Sequence, residues 1–430
     1  MREMKDSGTK WLGKIPYTWD LSNIGSIYTL RNTKVSDKDY PPLSVTMKGV
    51  VPQLESAAKT NAHDDRKLVK KGDFAINSRS DRRGSCGIAE QDGSVSLINT
   101  VLCPKNEMNP RYYNWLFHTK EFADEFYANG HGIVDDLWTT GWREMKRILI
   151  PTPSLDAQEV IASFLDSKCS EIDTLASDIQ SQIDILEEYK KSVISEAVAK
   201  GLNPNVEMKS TNMSWAETIP AHWEINKLKY LFDSAKGLSI TKDNLIDEGL
   251  PVVSYGQIHS KTNSGVDIKT ELLRFVDRSY QKFYPKCEVF KNDFIFADTS
   301  EDYEGCGNCV YKRDDSVLFA GYHSIILHSN PSQDNRYFAY LFKTDGWRRQ
   351  IREIAFGVKV FSITQKALIN SFVLVPSFKE QQKIANHLDA KCSEIDACIN
   401  AKKEQLATLE SYKKSLIYEY VTGKKEVPHD

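Results

Sequence analysis

The sequence lacks the features of a membrane or exported protein. No apolar run approaches the ~18 residues that a bilayer-spanning helix needs, and the first residues contain no apolar stretch of the kind found in signal peptides. We therefore expect a cytoplasmic protein whose eight cysteines are reduced. Neither charge dominates, because 56 Lys and Arg face 59 Asp and Glu for a net charge of −3. Binding to nucleic acid would require basic residues gathered on one face.

Signatures of catalysis and of cofactor binding are also missing. The chain has no phosphate-binding Gly-x-x-x-x-Gly-Lys-Ser/Thr loop, no Gly-x-Gly-x-x-Gly, no Gly-x-Ser-x-Gly, no His-Glu-x-x-His and no Asn-Pro-Pro-Tyr-like methyltransferase motif. Cys306 and Cys309 form one Cys-x-x-Cys, but a structural zinc needs four ligands and no second pair has suitable spacing. The sequence indicates a recognition and assembly component, with no catalytic residue, cofactor or metal of its own.

What the sequence does contain is a duplication. The 430 residues, 40% of them hydrophobic, are enough for two or three domains. Three motifs recur in the same order at offsets of 204, 220 and 223 residues: Trp11-Leu12-Gly13-Lys14-Ile15-Pro16 as Trp215-Ala216-Glu217-Thr218-Ile219-Pro220, Cys86-Gly87 as Cys306-Gly307, and Lys168-Cys169-Ser170-Glu171-Ile172-Asp173 as Lys391-Cys392-Ser393-Glu394-Ile395-Asp396. The second copy is 19 residues longer, and all of the excess precedes the third motif. Each copy therefore has a variable globular part followed by a segment of fixed length.

The segments of fixed length are predicted to be long helices. Residues 155–200 contain neither Pro nor Gly, and a start at Ser154 or Asp156 would place Glu159 for a capping box. Heptad spacing predicts a seam through Ile172, Leu175, Ile179, Gln182, Leu186, Tyr189 and Val193, and in the second copy through Ile395, Cys398, Lys402, Gln405, Leu409, Tyr412 and Leu416. We expect the two helices to pair antiparallel. Gln182 and Gln405 either fix the register or are simply tolerated, and Lys402 as the counterpart of Ile179 makes the seam asymmetric.

The middle of each copy predicts mixed strands and helices. Strands are expected at 69–78 and 94–102 in the first copy and at 289–297 and 316–327 in the second. Helices are expected at 112–126 and 336–354. A buried strand should close each unit, at 148–150 and at 372–375.

Basic and polar residues recur near the predicted strand ends of both copies, where Lys and Arg suit phosphate contact and Asn or Arg can reach base edges. An ordinary charged surface is the alternative for any single cluster. Glycines around His131 and Lys359 either bring a loop backbone close to a ligand or form a plain turn. The candidate DNA-binding residues are Lys70, Lys71, Asn77, Arg79, Arg82, Arg83 and His131 in the first copy, and Lys282, Lys286, Lys291, Lys343, Arg348, Arg349, Arg352 and Lys359 in the second.

The ordered set of motifs closely resembles the specificity subunit of type I restriction-modification systems over essentially the whole chain. No single motif is decisive, but the set occurs twice. The resemblance rests on the Trp11 and Trp215 motifs with Trp19 and Trp223, on Ile150-Pro151-Thr152-Pro153 with Gln158, on Val375-Pro376 with Glu380-Gln381-Gln382, and on the helical Leu186-Glu187-Glu188-Tyr189-Lys190-Lys191-Ser192.

The resemblance implies an α+β fold. Two mixed α/β target recognition domains, related by an internal pseudo-twofold, would be separated by two long antiparallel coiled-coil helices. We expect the first recognition domain at 1–153, a helical spacer at 154–203, the second recognition domain at 204–376 and a second spacer at 377–430. Base-reading residues vary with the target in this family, so none is assigned by motif.

The resemblance also implies partners and a function. The chain would recognise an asymmetric bipartite site in double-stranded DNA and carry two modification (methyltransferase) subunits and restriction (translocase) subunits. S-adenosylmethionine, ATP and Mg would lie on those partners, and this chain would be non-catalytic, with no membrane association. The alternative from the residues alone is a coiled-coil adaptor that organises a protein complex without binding DNA.

Overall fold

The computed structural model describes residues 2–54, 63–79, 82–105, 107–132, 138–263 and 265–428. Its contacts divide the chain into two compact units. Unit 1 comprises Met1–Ser181 and Lys402–Asp430, and unit 2 comprises Gln182–Ala401. The division cuts through two long helices, so each unit contains one part of each helix.

The elements of unit 1 follow the predicted mixture of strands and helices. Its strands are β1 (Met4–Asp6), β2 (Lys14–Pro16), β3 (Asp20–Asn23), β4 (Tyr28–Arg31), β5 (Lys34–Val35), β6 (Leu43–Thr46), β7 (Gly49–Pro52), β8 (Arg66–Val69), β9 (Phe74–Asn77), β10 (Cys86–Ile88), β11 (Gly93–Val95), β12 (Asn99–Pro104) and β13 (Leu149–Thr152). Its helices are α1 (Ile24–Ile27), α2 (Pro110–Phe117), α3 (Lys120–Ala128), α4 (Trp142–Met145) and the first part of α5 (Leu155–Lys200).

The core of unit 1 lies between an antiparallel sheet and the helices α2 and α3. The strand order is β10-β9-β12-β4, with Phe74 opposite Leu102. Aromatic rings fill this space. The ring centroid of Phe117 lies 4.8 Å from that of Phe74 and 4.5 Å from that of Phe122. The predicted single helix at 112–126 is two helices, because the Thr119 side chain accepts a hydrogen bond from the Phe122 N–H and caps α3.

Unit 2 repeats this construction. Its strands are β14 (Met208–Ser210), β15 (Thr218–Pro220), β16 (Glu224–Lys227), β17 (Phe232–Lys236), β18 (Leu250–Val253), β19 (Arg274–Val276), β20 (Phe294–Ala297), β21 (Thr299–Ser300), β22 (Cys309–Tyr311), β23 (Phe319–Ala320), β24 (Ser324–Ser329), β25 (Phe361–Ser362) and β26 (Phe372–Val375). Its helices are the last part of α5, then α6 (Tyr255–Ile258), α7 (Ser279–Phe283), α8 (Asn335–Lys343), α9 (Asp345–Ile354), α10 (Gln365–Ile369) and the first part of α11 (Phe378–Val421).

The main sheet of unit 2 has the order β22-β20-β24-β17, with Phe294 opposite Leu327. This order and register match those of unit 1, strand for strand. Here too the predicted helix at 336–354 is divided by a capping residue, since the Thr344 side chain accepts a hydrogen bond from the Trp347 N–H. The shared order confirms two mixed α/β units built on one plan.

Within each unit the two long helices run antiparallel, as predicted. In unit 1 the ammonium of Lys413 lies 2.6 Å from the carboxylate of Asp173. In unit 2 Lys190 lies 2.7 Å from Asp396. The offset of 223 residues relates Asp173 to Asp396 and Lys190 to Lys413, so the two ion pairs are repeats of one contact.

The predicted seam of these helices is wrong at every second position. In α5, Leu175 and Tyr189 are about half exposed and Gln182 is exposed. In α11, Cys398, Gln405 and Tyr412 are exposed. The buried and half-buried line in α5 is Ile172, Ala176, Ile179, Ile183, Leu186, Lys190 and Val193. The predicted line steps by three and then four residues, whereas the observed line steps by four and then three, so the two lines share every second residue. The observed line buries apolar Ile183 in place of Gln182. The asymmetry between buried Ile179 and half-buried Lys402 is confirmed.

Lys190 and Lys413 enter this line because their side chains are amphipathic. The aliphatic stem of each lysine covers the helix interface while the ammonium reaches the aspartate of the facing helix. Two lysines outside the predicted seam thus belong to the helix interface.

A buried glutamine near the start of each long helix holds the globular part against it. Gln158 accepts a hydrogen bond from the Asn109 N–H at 2.9 Å and donates to the carbonyl of Pro153 at 2.8 Å. Gln381 makes the equivalent bonds to the Asp334 N–H and the Pro376 carbonyl, each at 2.9 Å. The glutamines that carry the family resemblance therefore satisfy buried backbone groups at the same place in both units.

The end of each long helix completes a core that begins with the other sequence repeat. In unit 1 the Tyr112 hydroxyl donates to the carbonyl of Val421 at 2.7 Å, and in unit 2 Tyr337 donates to Val198 at 3.0 Å. After α11, Gly423 has φ +68°, and an added Cβ would lie 2.5 Å from the ring of Pro16. The chain needs glycine there both for its backbone angle and for the close approach of the first motif.

Gln158→Ala tests the glutamine contact. We expect the free energy of unfolding to fall by about 1–3 kcal/mol, because the Asn109 N–H and the Pro153 carbonyl are left without a partner in a buried place. Urea denaturation measures the change. The control is Gln382→Ala, which removes the same amide from the same type of helix and should change the value by less than about 0.5 kcal/mol. An unchanged denaturation midpoint for Gln158→Ala would contradict the assignment.

Candidate nucleic-acid interface

In unit 1 the end of β9 gathers several of the candidate residues. The Thr140 N–H donates to the carbonyl of Ser78 at 2.9 Å, which ties the segment after β9 to the segment before α4. Arg79 and His131 both pair with Thr139, and His131 and Thr139 exchange two backbone hydrogen bonds of 3.0 Å. Arg79 and His131 therefore lie on either side of one short strand segment, with both side chains exposed.

Two aromatic residues extend this group. The guanidinium of Arg83 lies 3.6 Å from the ring centroid of Tyr127, and the Tyr127 ring lies 5.6 Å from that of Trp138. Arg83 also approaches Asp124 at 3.5 Å. The sequence offered no periodic signal for Tyr127 or Trp138. We name the group Asn77, Arg79, Arg83, Tyr127, His131 and Trp138 the strand-end cluster.

The strand-end cluster can make three kinds of contact with a nucleic acid. Exposed Arg79 and Arg83 can donate to phosphates or to guanine edges. The aromatic rings offer a surface for stacking, and cationic and aromatic groups side by side are typical of nucleic-acid surfaces. Asn77 is buried, and its side-chain oxygen accepts the Arg79 N–H at 3.0 Å, so it positions Arg79.

Other basic residues of unit 1 lie elsewhere. Lys70 and Lys71 are exposed in the turn that precedes β9, at the opposite end of that strand from Arg79. Arg82 is exposed beside Arg83. Arg66 is buried and donates to the Ser94 hydroxyl at 2.8 Å, so it belongs to the framework.

The glycine before His131 has a packing role. A Cβ at Gly130 would lie 2.6 Å from both Thr140 Oγ1 and Trp138 Nε1. In unit 2 a Cβ at Gly357, whose φ is +131°, would lie 1.9 Å from the carbonyl of Val360. Glycine is therefore needed in both units, for close packing at Gly130 and for the backbone angle and close approach at Gly357.

Unit 2 has the same backbone arrangement with different side chains. Strands β21 and β25 pair Thr299 with Ser362, in the place where Arg79 meets Thr139 in unit 1. Asp298 accepts a hydrogen bond from the Thr299 hydroxyl at 2.8 Å, and His323 Nδ1 lies 3.3 Å from the same carboxylate. His323 has φ +53°, an uncommon angle for a residue with a side chain. No sequence motif pointed to Asp298, Thr299 and His323, because these residue types are common and His323 lies 24 residues from Thr299 along the chain.

Most candidate residues of unit 2 lie away from this place. Lys359 does lie at this place, exposed in the turn between Phe356 and β25. Arg348 donates to the carbonyls of Cys306 and Glu304, and Arg352 is buried and pairs with Asp345 and Glu304. These two arginines hold the loop before β22 against α9.

The remaining candidates of unit 2 are four lysines and one arginine in varied settings. Burial lowers the pKa of Lys343, and this effect is larger than the opposite effect of nearby Cys309. Arg349 is exposed and 3.9 Å from Asp345, and Lys291 pairs with Asp315 at 2.7 Å. The other two, on α7 and just after it, are exposed: Lys282 and Lys286. Direct contact with DNA by these residues stays a prediction.

The cysteines pack inside the units. Cys306 and Cys309 are buried, as is Cys86, which pairs with Ile76 in unit 1 as Cys309 pairs with Phe296 in unit 2. Burial raises the pKa of the Cys309 thiol to about 11, which disfavours the thiolate that a metal would need. Over the described ranges no three His, Cys, Asp or Glu side chains are grouped to hold a metal ion. The helices in those ranges include none with the length and apolar character for crossing a membrane.

Comparison with protein families gives one match that occurs twice. The model for the type I restriction modification DNA specificity domain matches residues 16–184 and 220–410. The two matched ranges correspond to the two sequence repeats.

Two relatives come from Methanocaldococcus jannaschii. The chain is 25% identical over 348 residues to the type I restriction enzyme MjaVIII specificity subunit, covering 78% of this chain and 75% of the relative. It is 26% identical over 444 residues to the putative type I restriction enzyme MjaX specificity subunit, covering 97% of this chain and 96% of the relative.

Two solved structures share the fold. A chain from a study of complex assembly and conformational transition in a type I R-M system superposes with a TM-score of 0.72 at 14% identity, covering 96% of this chain and 99% of the other. The HsdS subunit from Thermoanaerobacter tengcongensis superposes with a TM-score of 0.53 at 15% identity, covering 98% and 100%.

Replacing Arg83 of the strand-end cluster and its exposed neighbour Arg82 together with Ala tests DNA contact at this place. We expect weaker binding to double-stranded DNA and a smaller salt dependence, because the slope of log K against log[salt] falls by about 1 for each phosphate that the protein no longer neutralises. The measurement is a titration of duplex DNA with the purified chain at several salt concentrations.

The control for this pair is Lys191→Ala with Lys414→Ala, which removes two charges from exposed helix positions that the repeat makes equivalent. That variant should bind DNA as the unchanged chain does. Unaltered affinity of the arginine variant across all salt concentrations would remove Arg82 and Arg83 from the interface.

Proposed function

Because the chain belongs to the family of type I restriction-modification DNA specificity domains, we propose that it reads an asymmetric bipartite site in double-stranded DNA, one half-site with each unit. Members of this family supply DNA recognition to a type I restriction-modification system and are not its catalytic subunits. The remaining question is how this chain distinguishes two different half-sites.

One observation carries the proposal. The two units share strand order, register, helix caps and buried glutamines, yet they differ at the strand ends. Unit 1 presents Arg79 and His131 where unit 2 presents Thr299 and Phe356. A common framework with unlike side chains suits a protein that reads two unlike base sequences, because base-edge patterns in the major groove differ between base pairs.

The paired helices would set the number of unspecified base pairs between the half-sites. Helices α5 and α11 have 46 and 44 residues and continue from one unit into the other without a break. A continuous helix resists bending and advances about 1.5 Å per residue. A fixed length of helix would therefore correspond to a fixed length of DNA.

The proposed assembly adds catalysis from other chains. Two modification subunits would attach to the helices of this chain and methylate DNA, and restriction subunits would join them to move along DNA and cut it. S-adenosylmethionine, ATP and Mg would be bound by those subunits. The complex would act in the cytoplasm.

Insertion of one heptad into both α5 and α11, at equivalent positions near Gln182 and Gln405, tests the proposed spacer. Seven residues add about 10 Å of helix, which corresponds to about three base pairs at 3.4 Å each. We expect a footprint in which the two protected base sets are unchanged and the gap is longer by that amount. An unchanged gap would contradict the role of the helices.

A matched control inserts the heptad into α5 alone. The cross-helix contacts of Lys190 with Asp396 and of Lys413 with Asp173 cannot then both form, so this variant should be less stable.

Asp298→Asn tests base reading by unit 2. A carboxylate only accepts hydrogen bonds and suits the amino group of cytosine, whereas an amide can pair with adenine. We expect the preferred base to change at one position of one half-site, with discrimination altered by about 1–3 kcal/mol. The measurement is binding to a panel of duplexes with single base-pair changes.

The control is Asp315→Asn, which changes the same chemical group on an exposed loop of the same unit. It should leave the preference unchanged. An identical base preference for Asp298→Asn and the unchanged chain would remove Asp298 from the reading surface.

A further inference from the structure

The repeat is broken at one cross-helix contact. In unit 1 the rings of Phe164 on α5 and Tyr420 on α11 pack against each other with centroids 4.5 Å apart and planes tilted by 36°. The offset of 223 residues makes His387 the counterpart of Phe164 and Ala197 the counterpart of Tyr420. Unit 2 therefore has no aromatic pair at this place, although the surrounding helix contacts are repeated.

A groove of about 790 Å³ occupies the corresponding place in unit 2, and both Ala197 and His387 line it. Three apolar side chains of its lining are exposed, namely Tyr189 at 47%, Leu202 at 42% and Met208 at 39%. Exposed apolar side chains gathered around one concave place are uncommon on a protein that works alone.

Unit 1 closes the equivalent place with its own residues. After α11 the ammonium of Lys424 donates to the carbonyl of Leu12 at 2.6 Å and of Lys14 at 3.0 Å, which holds the first motif against the helix end. In unit 2 the long helix continues two residues further, to Lys200, before Gly201. The groove thus coincides with a place where the repeats differ both in the two ring positions and in the path of the chain after the helix.

We propose that this groove of unit 2 receives an aromatic side chain of a modification subunit. The proposal deepens the proposed function and rests on it. Unit 1 supplies the template for the occupant, because an aromatic ring fills the same place there. Exposed Lys200 and Glu196 at the groove give the apolar centre a polar rim, the usual anatomy of a protein–protein interface.

The consequence is that the two modification subunits attach in different ways. Unit 2 accepts an anchoring ring from its modification subunit, whereas unit 1 presents a surface that it has already filled. Aromatic anchors in pockets carry a large part of the binding energy at such interfaces. One modification subunit should therefore bind more tightly than the other.

The test copies unit 1 into unit 2 with Ala197→Tyr and His387→Phe in the full chain. The modification subunit of the same system is titrated into this variant and into the unchanged chain, with native mass spectrometry for stoichiometry and calorimetry for affinity. We expect the unchanged chain to bind two subunits with unequal affinities. In the variant with Ala197→Tyr and His387→Phe, here called the filled variant, the affinity of the tighter site should fall about tenfold or more. The other site should keep its affinity.

A second variant avoids the helix core. Leu202→Asp with Met208→Asp places charge on two exposed residues of the lining, and it should weaken the same single site. The control is Ser195→Tyr with Lys383→Phe, which adds the same rings at exposed positions outside the groove and should bind as the unchanged chain does. Thermal unfolding of all variants checks that each is folded.

Three results would overturn the proposal. If the unchanged chain, the filled variant and the aspartate variant bind the modification subunit with the same affinities, the groove takes no part in binding. The proposed function would then stand. Self-association of the unchanged chain that the filled variant abolishes would assign the groove to a second copy of this chain. No binding of any modification subunit by the unchanged chain would contradict the proposed function itself.

Discussion

Neither sequence repeat can form its own unit, because each core is completed by the helix end of the other repeat. The carbonyl of Val421 accepts the buried hydroxyl of Tyr112, and Val198 does the same for Tyr337. Leu416, Ile417 and Tyr420 lie in the core of unit 1 together with Trp11 and Trp19. The exchanged helix ends are therefore part of the packed cores and supply buried hydrogen-bond acceptors to them.

This exchange explains why similarity between the repeats is uneven. Positions that complete a core or hold a helix are constrained in both units, as are the buried glutamines and the lysine–aspartate pairs across the helices. Residues at the strand ends carry no such contacts, and there Arg79 can be replaced by Thr299 without a cost to the core. Recognition surfaces can change while the framework remains. The two units can therefore differ in the base sequence that each would recognise while they share one framework.

Much of this architecture could be predicted from the sequence, because the repeat offsets separate fixed from variable segments. The long helices and the closing strand Phe372–Val375 are confirmed, since the absence of Pro and Gly and a dense apolar run are strong local signals. The seam was wrong at Leu175, Gln182 and Tyr189 because two heptad phases share half of their positions, and the facing helix decides between them. The helix breaks at Thr119 and Thr344 depend on single caps that a periodic pattern does not reveal.

The strand-end cluster could be predicted only in part. Arg79 and His131 were found from charge and from glycine spacing, but Tyr127, Trp138, Asp298 and His323 come together only through the fold. Conversely, Arg348 and Arg352 are basic residues whose guanidinium groups hold a loop in place. Charge alone does not separate a cation that faces solvent from one that satisfies backbone carbonyls.

We propose that one chain binds DNA at two separated places with different base sequences. Selection of bound duplexes from a pool of random sequences tests this, with the chain alone and with the modification subunits proposed as its partners. We expect two short, different base sets on either side of a gap that has constant length and no base preference. A single uninterrupted base set, two identical sets, or a gap of variable length would contradict it.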